Sequence, residues 1–202
     1  MKYQFTEKDR ERIRQAIQRK YTKVAGSPEG NFRYPVGRAG LEALKYDPEV
    51  LKVLPEAVMA SYCGVGNPFV LGRINEGESV LDVGCGAGVD TLVAATMVGP
   101  KGKAVGIDLV SDMLERAEQN LGKTGLQNVE FKECSAESLS FPAESFDVVI
   151  SNGVINLVPD KAGALSEIFR VLKLDGRLMI ADQILAGELP GDTKSIIEKW
   201  AG

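Results

Sequence analysis

Apolar positions along this chain change their period near residue 79. Before that point the spacing is helical. Residues 6–24 carry Ile13, Ile17 and Tyr21 at intervals of four, with Thr6 placed to cap and Glu7 and Asp9 in the first turn. The stretch Gly26-Ser-Pro-Glu-Gly-Asn31 ends that helix. Two shorter helices follow, Ala39–Lys45 and Pro48–Ala60, separated at Asp47-Pro48, the second interrupted at Pro55. Gly64-Val-Gly-Asn-Pro68 reads as a loop from its turn-forming residues.

Beyond residue 79 short apolar runs alternate with helical periods. Strands are expected at Ser79–Val83, Lys103–Asp108, Asn128–Glu133, Phe146–Ser151 and Arg177–Ala181. Helices are expected at Val89–Val98, Ser111–Lys123 and Asp160–Leu172, with Lys173-Leu-Asp-Gly176 as the turn into the fifth strand. The run Phe146–Ser151 is almost wholly apolar, as a strand covered on both faces requires. This alternation predicts an α/β fold, a parallel sheet with helices on both faces and right-handed crossovers. Ligands of such sheets lie beyond the carboxyl ends of the strands, so the residues that follow each strand are the ones to read for chemistry.

The first strand runs into Leu81-Asp-Val-Gly-Cys-Gly-Ala-Gly88. Gly84, Gly86 and Gly88 allow a tight turn and let a ligand rest on bare backbone. The second strand ends at Asp108, twenty positions beyond Gly88, where an acid can accept both hydroxyls of an adenosine ribose. A dinucleotide loop spaces its glycines G-x-G-x-x-G, because a pyrophosphate sits on the helix N-terminus. Here the spacing is G-x-G-x-G with Asp82 just before it. A carboxylate beside the loop suits a cation better than a pyrophosphate. S-adenosylmethionine, with an ammonium, a sulfonium and no phosphate, fits, and Asp82 would hold the ammonium end.

Composition narrows the setting. Of 202 residues 44% are apolar and 26% charged, an ordinary globular balance. The net charge of −4 gives no basic field for a phosphate backbone, so nucleic acid is not expected as a partner. There is no histidine, which removes the usual proton shuttle near neutrality. Cys63, Cys85 and Cys134 are odd in number and widely spaced, which reads as free thiols and no metal site. No apolar run is long enough for a membrane span, and the N-terminus MKYQFTEKDRERIRQ is too charged for a signal peptide, so a cytoplasmic protein is expected.

From about Ser79 to Asp182 the chain resembles the class I S-adenosylmethionine-dependent methyltransferases. Glu133-Cys-Ser-Ala-Glu-Ser-Leu-Ser-Phe-Pro142, Phe146-Asp-Val-Val-Ile-Ser-Asn152 and Arg170-Val-Leu-Lys-Leu-Asp-Gly-Arg-Leu178 carry the likeness beyond the glycine loop. The resemblance implies a Rossmann-like sheet, S-adenosylmethionine as cofactor and S-adenosylhomocysteine as product. It also implies cofactor contacts at Asp82, Gly84, Gly86, Gly88, Asp108, Leu109, Met113, Ser135, Ala136, Glu137 and Asn152. Ser135 stands where the family usually has an acid.

Ser61-Tyr-Cys-Gly-Val-Gly-Asn-Pro68, Ile150-Ser-Asn-Gly-Val-Ile-Asn-Leu157, Leu189-Pro190 and Glu198-Lys-Trp-Ala-Gly202 are similar to arsenite methyltransferases. That family binds trivalent arsenic with thiolates, soft ligands for a soft metalloid. Its first thiol falls on Val65 and its second on Gly153, and its third follows the tryptophan-glycine segment, where this sequence stops. Cys63, two residues from the first position, is the candidate substitute.

Candidate catalytic or acceptor-orienting residues are Asn152, Asn156 and Cys63, with Tyr34, Tyr62 and Asn67 as pocket groups and Phe32 as packing. Capping is the competing role for the two asparagines. Residues 1–70 are expected to form a helical cover and 71–202 the cofactor domain. Asp9, Arg10, Arg12 and Arg14 read as a solvated face of the cover. The domain lacks the last two strands of the family, with one helix over Asp192–Trp200 in their place. An uncovered fifth strand suggests a truncated chain or a homodimer through this edge. The leading function is methyl transfer to a small-molecule or metalloid acceptor. A non-catalytic cofactor-binding protein is the alternative, and the glycine spacing disfavours a nicotinamide oxidoreductase.

Overall fold

A computed structural model describes residues 5–184 and Trp200. Five strands form one sheet among the described residues, β1 (Ser79–Val83), β2 (Lys103–Asp108), β3 (Val129–Glu133), β4 (Phe146–Asn152) and β5 (Leu172–Ala181), in the order β3-β2-β1-β4-β5. Every pairing is parallel. The helices that join them are α5 (Val89–Val98), α6 (Ser111–Leu121) and α7 (Lys161–Val171). The strand order reverses between β1 and β4, so a crevice opens at the carboxyl ends of these two strands.

Alternation along the strands builds two cores. Val80, Ala104, Val148 and Ile150 point to the face covered by Ala94, Ala95 and Val98 of α5. Leu81, Val83, Val105, Ile107 and Val149 point to the other, against Ile168 and Val171 of α7. Successive strand residues face opposite ways, so strands covered on both sides are buried along nearly their whole length, as β1 and β4 are.

β5 begins earlier than the sequence indicates. Phe146 pairs with Leu172, but Val148 pairs with Arg177, so the expected turn at 173–176 is a bulge inside the strand. Asp175 takes the left-handed conformation there, with φ of 64°. The Lys173 ammonium meets Asp147 on β4 at 2.8 Å across the bulge.

The N-terminal part is helical, with α1 (Glu7–Gly26), α2 (Gly37–Ala43), α3 (Pro48–Leu51) and α4 (Glu56–Met59), then a short 3-10 turn at Pro68–Val70. The Thr6 hydroxyl accepts from the Asp9 N–H while the Asp9 carboxylate accepts from the Thr6 N–H, a reciprocal cap that starts α1. Val24 packs with Val110 and Met113, and the Thr22 hydroxyl donates to Asp112 at 2.8 Å. At the other end Arg10 pairs with Asp160 at 3.6 Å and Arg14 with Glu137 at 3.0 Å. These partners all follow strands, so α1 crosses the carboxyl-end side of the sheet. The face of α1 expected to be solvated therefore carries two inter-element ion pairs. The expected helix at 192–200 lies outside the described residues except for Trp200. The Trp200 indole N–H donates to Leu157 O at 2.7 Å and its ring meets Phe5 edge-on. Among the described residues no helix is long and apolar enough to cross a membrane.

Close helix-to-sheet packing at the start of α5 depends on two glycines. A Cβ on Gly88 would lie 2.6 Å from Phe131 Cζ, and one on Gly106 2.7 Å from Phe131 Cδ1. Gly88 also has φ of 80°, which an L side chain resists. Gly88→Ala should therefore cost about 2–4 kcal/mol of unfolding free energy, from overpacking and backbone strain together, measured by urea denaturation.

Candidate functional site

The loop that leaves β1 is tied to β2 before it turns. The N–H groups of Gly84 and Cys85 both donate to Ile107 O at 2.8 Å. Gly84 and Gly86 take φ of 75° and 53°. A Cβ on Gly84 would sit 2.3 Å from Val154 Cγ2, so the approach of the β4 loop depends on bare backbone here. The Asp108 carboxylate closes the turn: one oxygen accepts from the Gly86 N–H at 2.8 Å, the other from the Val110 N–H at 2.9 Å. Two of its roughly four lone-pair sites are thus used, and the rest can serve a ligand in the crevice. Burial pushes this carboxyl above its ordinary range, against the backbone donors of Val110, Gly86 and Leu109.

One cavity joins the loop, the strand ends and the N-terminal helices. Four carboxyls line it, from Asp82, Asp90, Asp108 and Glu137. Among the described residues Arg14 is the one lysine or arginine in its wall, and its guanidinium is already held by Glu137 and by Glu7 at 3.1 Å. Asp82 accepts from the Thr91 hydroxyl at 2.7 Å. Burial, and then the neighbouring charge of Asp90, push the Asp82 carboxyl well up. Asp90 accepts from the Tyr46 hydroxyl at 2.7 Å and from Asn152 Nδ2 at 2.9 Å. Burial raises it to about 6 in spite of those donors. Such a wall repels anions and gains from a positively charged occupant.

Asn152, at the end of β4, anchors the loop after α4. Its Oδ1 accepts from the N–H groups of Val65 and Gly66 at 2.9 and 3.1 Å. Its Nδ2 donates to Gly66 O at 2.8 Å as well as to Asp90, with longer 3.2 Å contacts to the Tyr46 and Tyr62 hydroxyls. The amide is therefore used within the protein. Gly66 O also accepts from Tyr62 at 2.8 Å and from Tyr46 at 3.2 Å.

This anchoring brings together the two positions at which the resemblance places thiols. A Cβ on Gly153 would lie 3.2 Å from Val65 Cγ1, and Gly153 has φ of 73°. Cys63 lines the cavity, its carbonyl accepting from the Tyr34 hydroxyl at 3.0 Å. Burial, then the charges of Asp108 and Asp90, push its thiol up to about 12, so it stays protonated near neutrality. Cys85 and Cys134 line the same cavity, but among the described residues no three His, Cys, Asp or Glu side chains are grouped to hold a metal.

Leu109, Met113, Ser135 and Ala136 complete the lining, with the Ser135 hydroxyl accepting from the Glu137 N–H at 3.2 Å. Three expected residues lie outside it. Gly88 is under the loop, against Phe131 and Ala117. Asn67 caps the 3-10 turn, accepting from the Phe69 N–H and donating to Leu44 O and Lys45 O. Asn156 faces the protein: its N–H donates to Asp182 at 2.9 Å, its carbonyl accepts from Lys161, and its Oδ1 is buried without a partner among the described residues. Phe32 packs on Tyr34. Sequence reasoning missed Asp90, Arg14 and the cavity side of Tyr21. Asp90 was open to notice as the lone charged residue of a largely apolar helix, whereas Arg14 is lost among the charges of α1.

Fold and site together define a Rossmann-like protein with a nucleoside crevice whose wall favours a cation. Residues 74–201 match the family model described as a methyltransferase domain. An arsenite methyltransferase of Halobacterium salinarum is 38% identical over 157 residues, covering 77% of this chain and 40% of that protein. A demethylmenaquinone methyltransferase of Lactococcus lactis is 42% identical over 103 residues, 51% of this chain and 41% of its own. Among solved structures, an arsenic(III) S-adenosylmethionine methyltransferase from Chlamydomonas reinhardtii is 36% identical with a TM-score of 0.59, covering 81% of this chain and 53% of that one. The chain thus spans about two fifths to one half of the length of these relatives. It belongs to the methyltransferase domain family, among the class I S-adenosylmethionine-dependent methyltransferases.

The raised acids set a direction for stability. A carboxyl whose folded pKa exceeds its unfolded value holds its proton more tightly when folded. Stability then falls as pH rises between the two values and levels off above the folded one. For Asp90 that window runs from 3.8 to about 6. Unfolding free energies measured in urea at pH 4, 5, 6 and 7 should decline over the first three points, and Asp90→Asn should make the decline shallower. Asp82 and Asp108 leave part of the slope in place.

Proposed function

We propose that this chain binds S-adenosylmethionine in the crevice and transfers its methyl group to a small organic acceptor. The observation that carries this reading is the carboxyl-lined wall around the glycine loop, in which the one arginine among the described residues is already paired. In this reading Asp108 holds the ribose hydroxyls, Asp82 the ammonium end, and Gly84 and Gly86 the backbone face. Leu109 and Met113 flank the adenine, with Ser135, Ala136 and Glu137 along its edge. The bound cofactor supplies a methyl on a sulfonium, a leaving group already installed. What remains for the protein is to exclude water and align the acceptor. Asn152 serves this indirectly, by fixing Val65 and Gly66 beside the crevice.

The scaffold is like that of arsenite methyltransferases, but the acceptor end argues for a different substrate class. Valine at 65 and glycine at 153 offer no thiolate. Gly153 has a left-handed backbone, and Cys63 holds its proton. An acceptor that needs no thiolate ligands suits these walls better than a metalloid.

Residues 1–70 act as the cover and 71–202 as the cofactor domain. We place the protein in the reducing cytoplasm on its three free cysteines, and without nucleic-acid partners on its net charge of −4. Pairing of two copies through the β5 edge is the corresponding assembly, and a monomer at high micromolar concentration in light scattering would exclude it.

Calorimetric titration with S-adenosylhomocysteine should show binding, and a nicotinamide dinucleotide should not bind. Asp108→Ala should weaken S-adenosylhomocysteine by about 1–3 kcal/mol, and unchanged affinity would remove the ribose assignment. A labelled-methyl assay across arsenite, thiols and small organic acids then tests turnover. Binding without any product would identify a non-catalytic cofactor-binding protein.

A further inference from the structure

We propose that the Tyr21 hydroxyl is a direct contact to the bound cofactor, donating to a ribose oxygen beside Asp108, so that α1 forms part of the binding site as well as covering it. This rests on the cofactor reading above.

One stripe of α1 faces the cavity, made by Arg14, Ile17 and Tyr21 at helical spacing. Arg14 is engaged by Glu137 and Glu7, and Ile17 has no polar atom on its side chain. Tyr21 is the remaining polar group of the stripe. Its neighbours are the packed cluster of Val24, Val110 and Met113, which fixes the ring close to the end of β2.

The other tyrosines of the described residues are engaged. Tyr34 donates to Cys63 O, Tyr62 to Gly66 O, and Tyr46 to Asp90. The Tyr21 hydroxyl has no hydrogen-bond partner among the described residues, and its half-buried side chain lines the cavity. A hydroxyl at a cavity wall that no protein group engages is free to bond a ligand placed there. The nearby carboxylate of Asp108 already receives two backbone N–H groups. Burial first, then the neighbouring Cys63, Tyr34 and Asp108 groups, drive the phenol upward, so it remains a proton donor throughout the neutral range. A donor poised next to the proposed ribose acid complements it: the carboxylate accepts from the sugar hydroxyls while the phenol donates to a sugar oxygen.

The test compares wild type with Tyr21→Phe, which keeps the ring. S-adenosylhomocysteine and 5′-methylthioadenosine, which retains the ribose but lacks the amino-acid end, are titrated by calorimetry. Melting temperatures are read without ligand. Both ligands should bind Tyr21→Phe about 5- to 20-fold more weakly, with the ligand-free melting temperature unchanged. Equal affinities for the two proteins would overturn the contact. A loss confined to S-adenosylhomocysteine would overturn its placement at the ribose. A lowered melting temperature without ligand, accompanying the weaker binding, would make the hydroxyl a structural group and overturn the proposal. No binding of either ligand by wild type would instead bring down the cofactor reading itself.

Discussion

The bond between the Asp108 carboxylate and the Gly86 N–H holds the crevice in shape. It joins the end of β2 to a loop in which three of five residues are glycine and lack a side chain to resist collapse. The same carboxylate fixes Val110, where α6 begins and where α1 packs. Three separate pieces of the chain therefore take their position from one buried acid. Burial disfavours its charge, and the backbone donors offset only part of that effect. The arrangement leaves room for a ligand to add hydrogen bonds to a carboxylate still short of partners.

A second network performs the same task on the opposite wall. Asn152, Asp90, Tyr46 and Tyr62 converge near the backbone of Gly66, with contacts that tie the end of β4 and the start of α5 to the segments after α2 and α4. Asn152 was read from sequence as a residue for the acceptor. In the fold it is bound on both sides of its amide, and its influence on an acceptor passes through Val65 and Gly66. Side chains of this sort are hard to assign from sequence, because the partner lies 86 positions away and is main chain.

The sheet, its helices and the glycine loop were legible because they obey local rules: apolar runs, period changes, and glycine where φ turns positive. The capping of α1 by Thr6 was legible for the same reason. The start of β5 was not. Lys173-Leu-Asp-Gly176 has the composition of a turn, and it does turn, but Leu172 has already paired with Phe146, so the irregularity is absorbed within the strand. Asn156 and Asn67 illustrate a different failure. A polar residue in a loop beside the strand ends points either to the crevice or to the protein, and no spacing rule distinguishes the two. Arg10 and Arg14 failed in the converse way, since a charge on an amphipathic helix looks solvated until a long-range partner such as Asp160 or Glu137 is known.

The crowd of carboxyls around the cavity bears on what happens after the proposed reaction. Losing a methyl group turns a sulfonium into a neutral thioether, so the occupant gives up one positive charge while the wall keeps its own. Attraction that draws the reactant in is thereby weakened for the by-product, and exchange of one for the other is favoured by electrostatics alone. High ionic strength would blunt that preference least where the acids are most enclosed, as at Asp82 and Asp90.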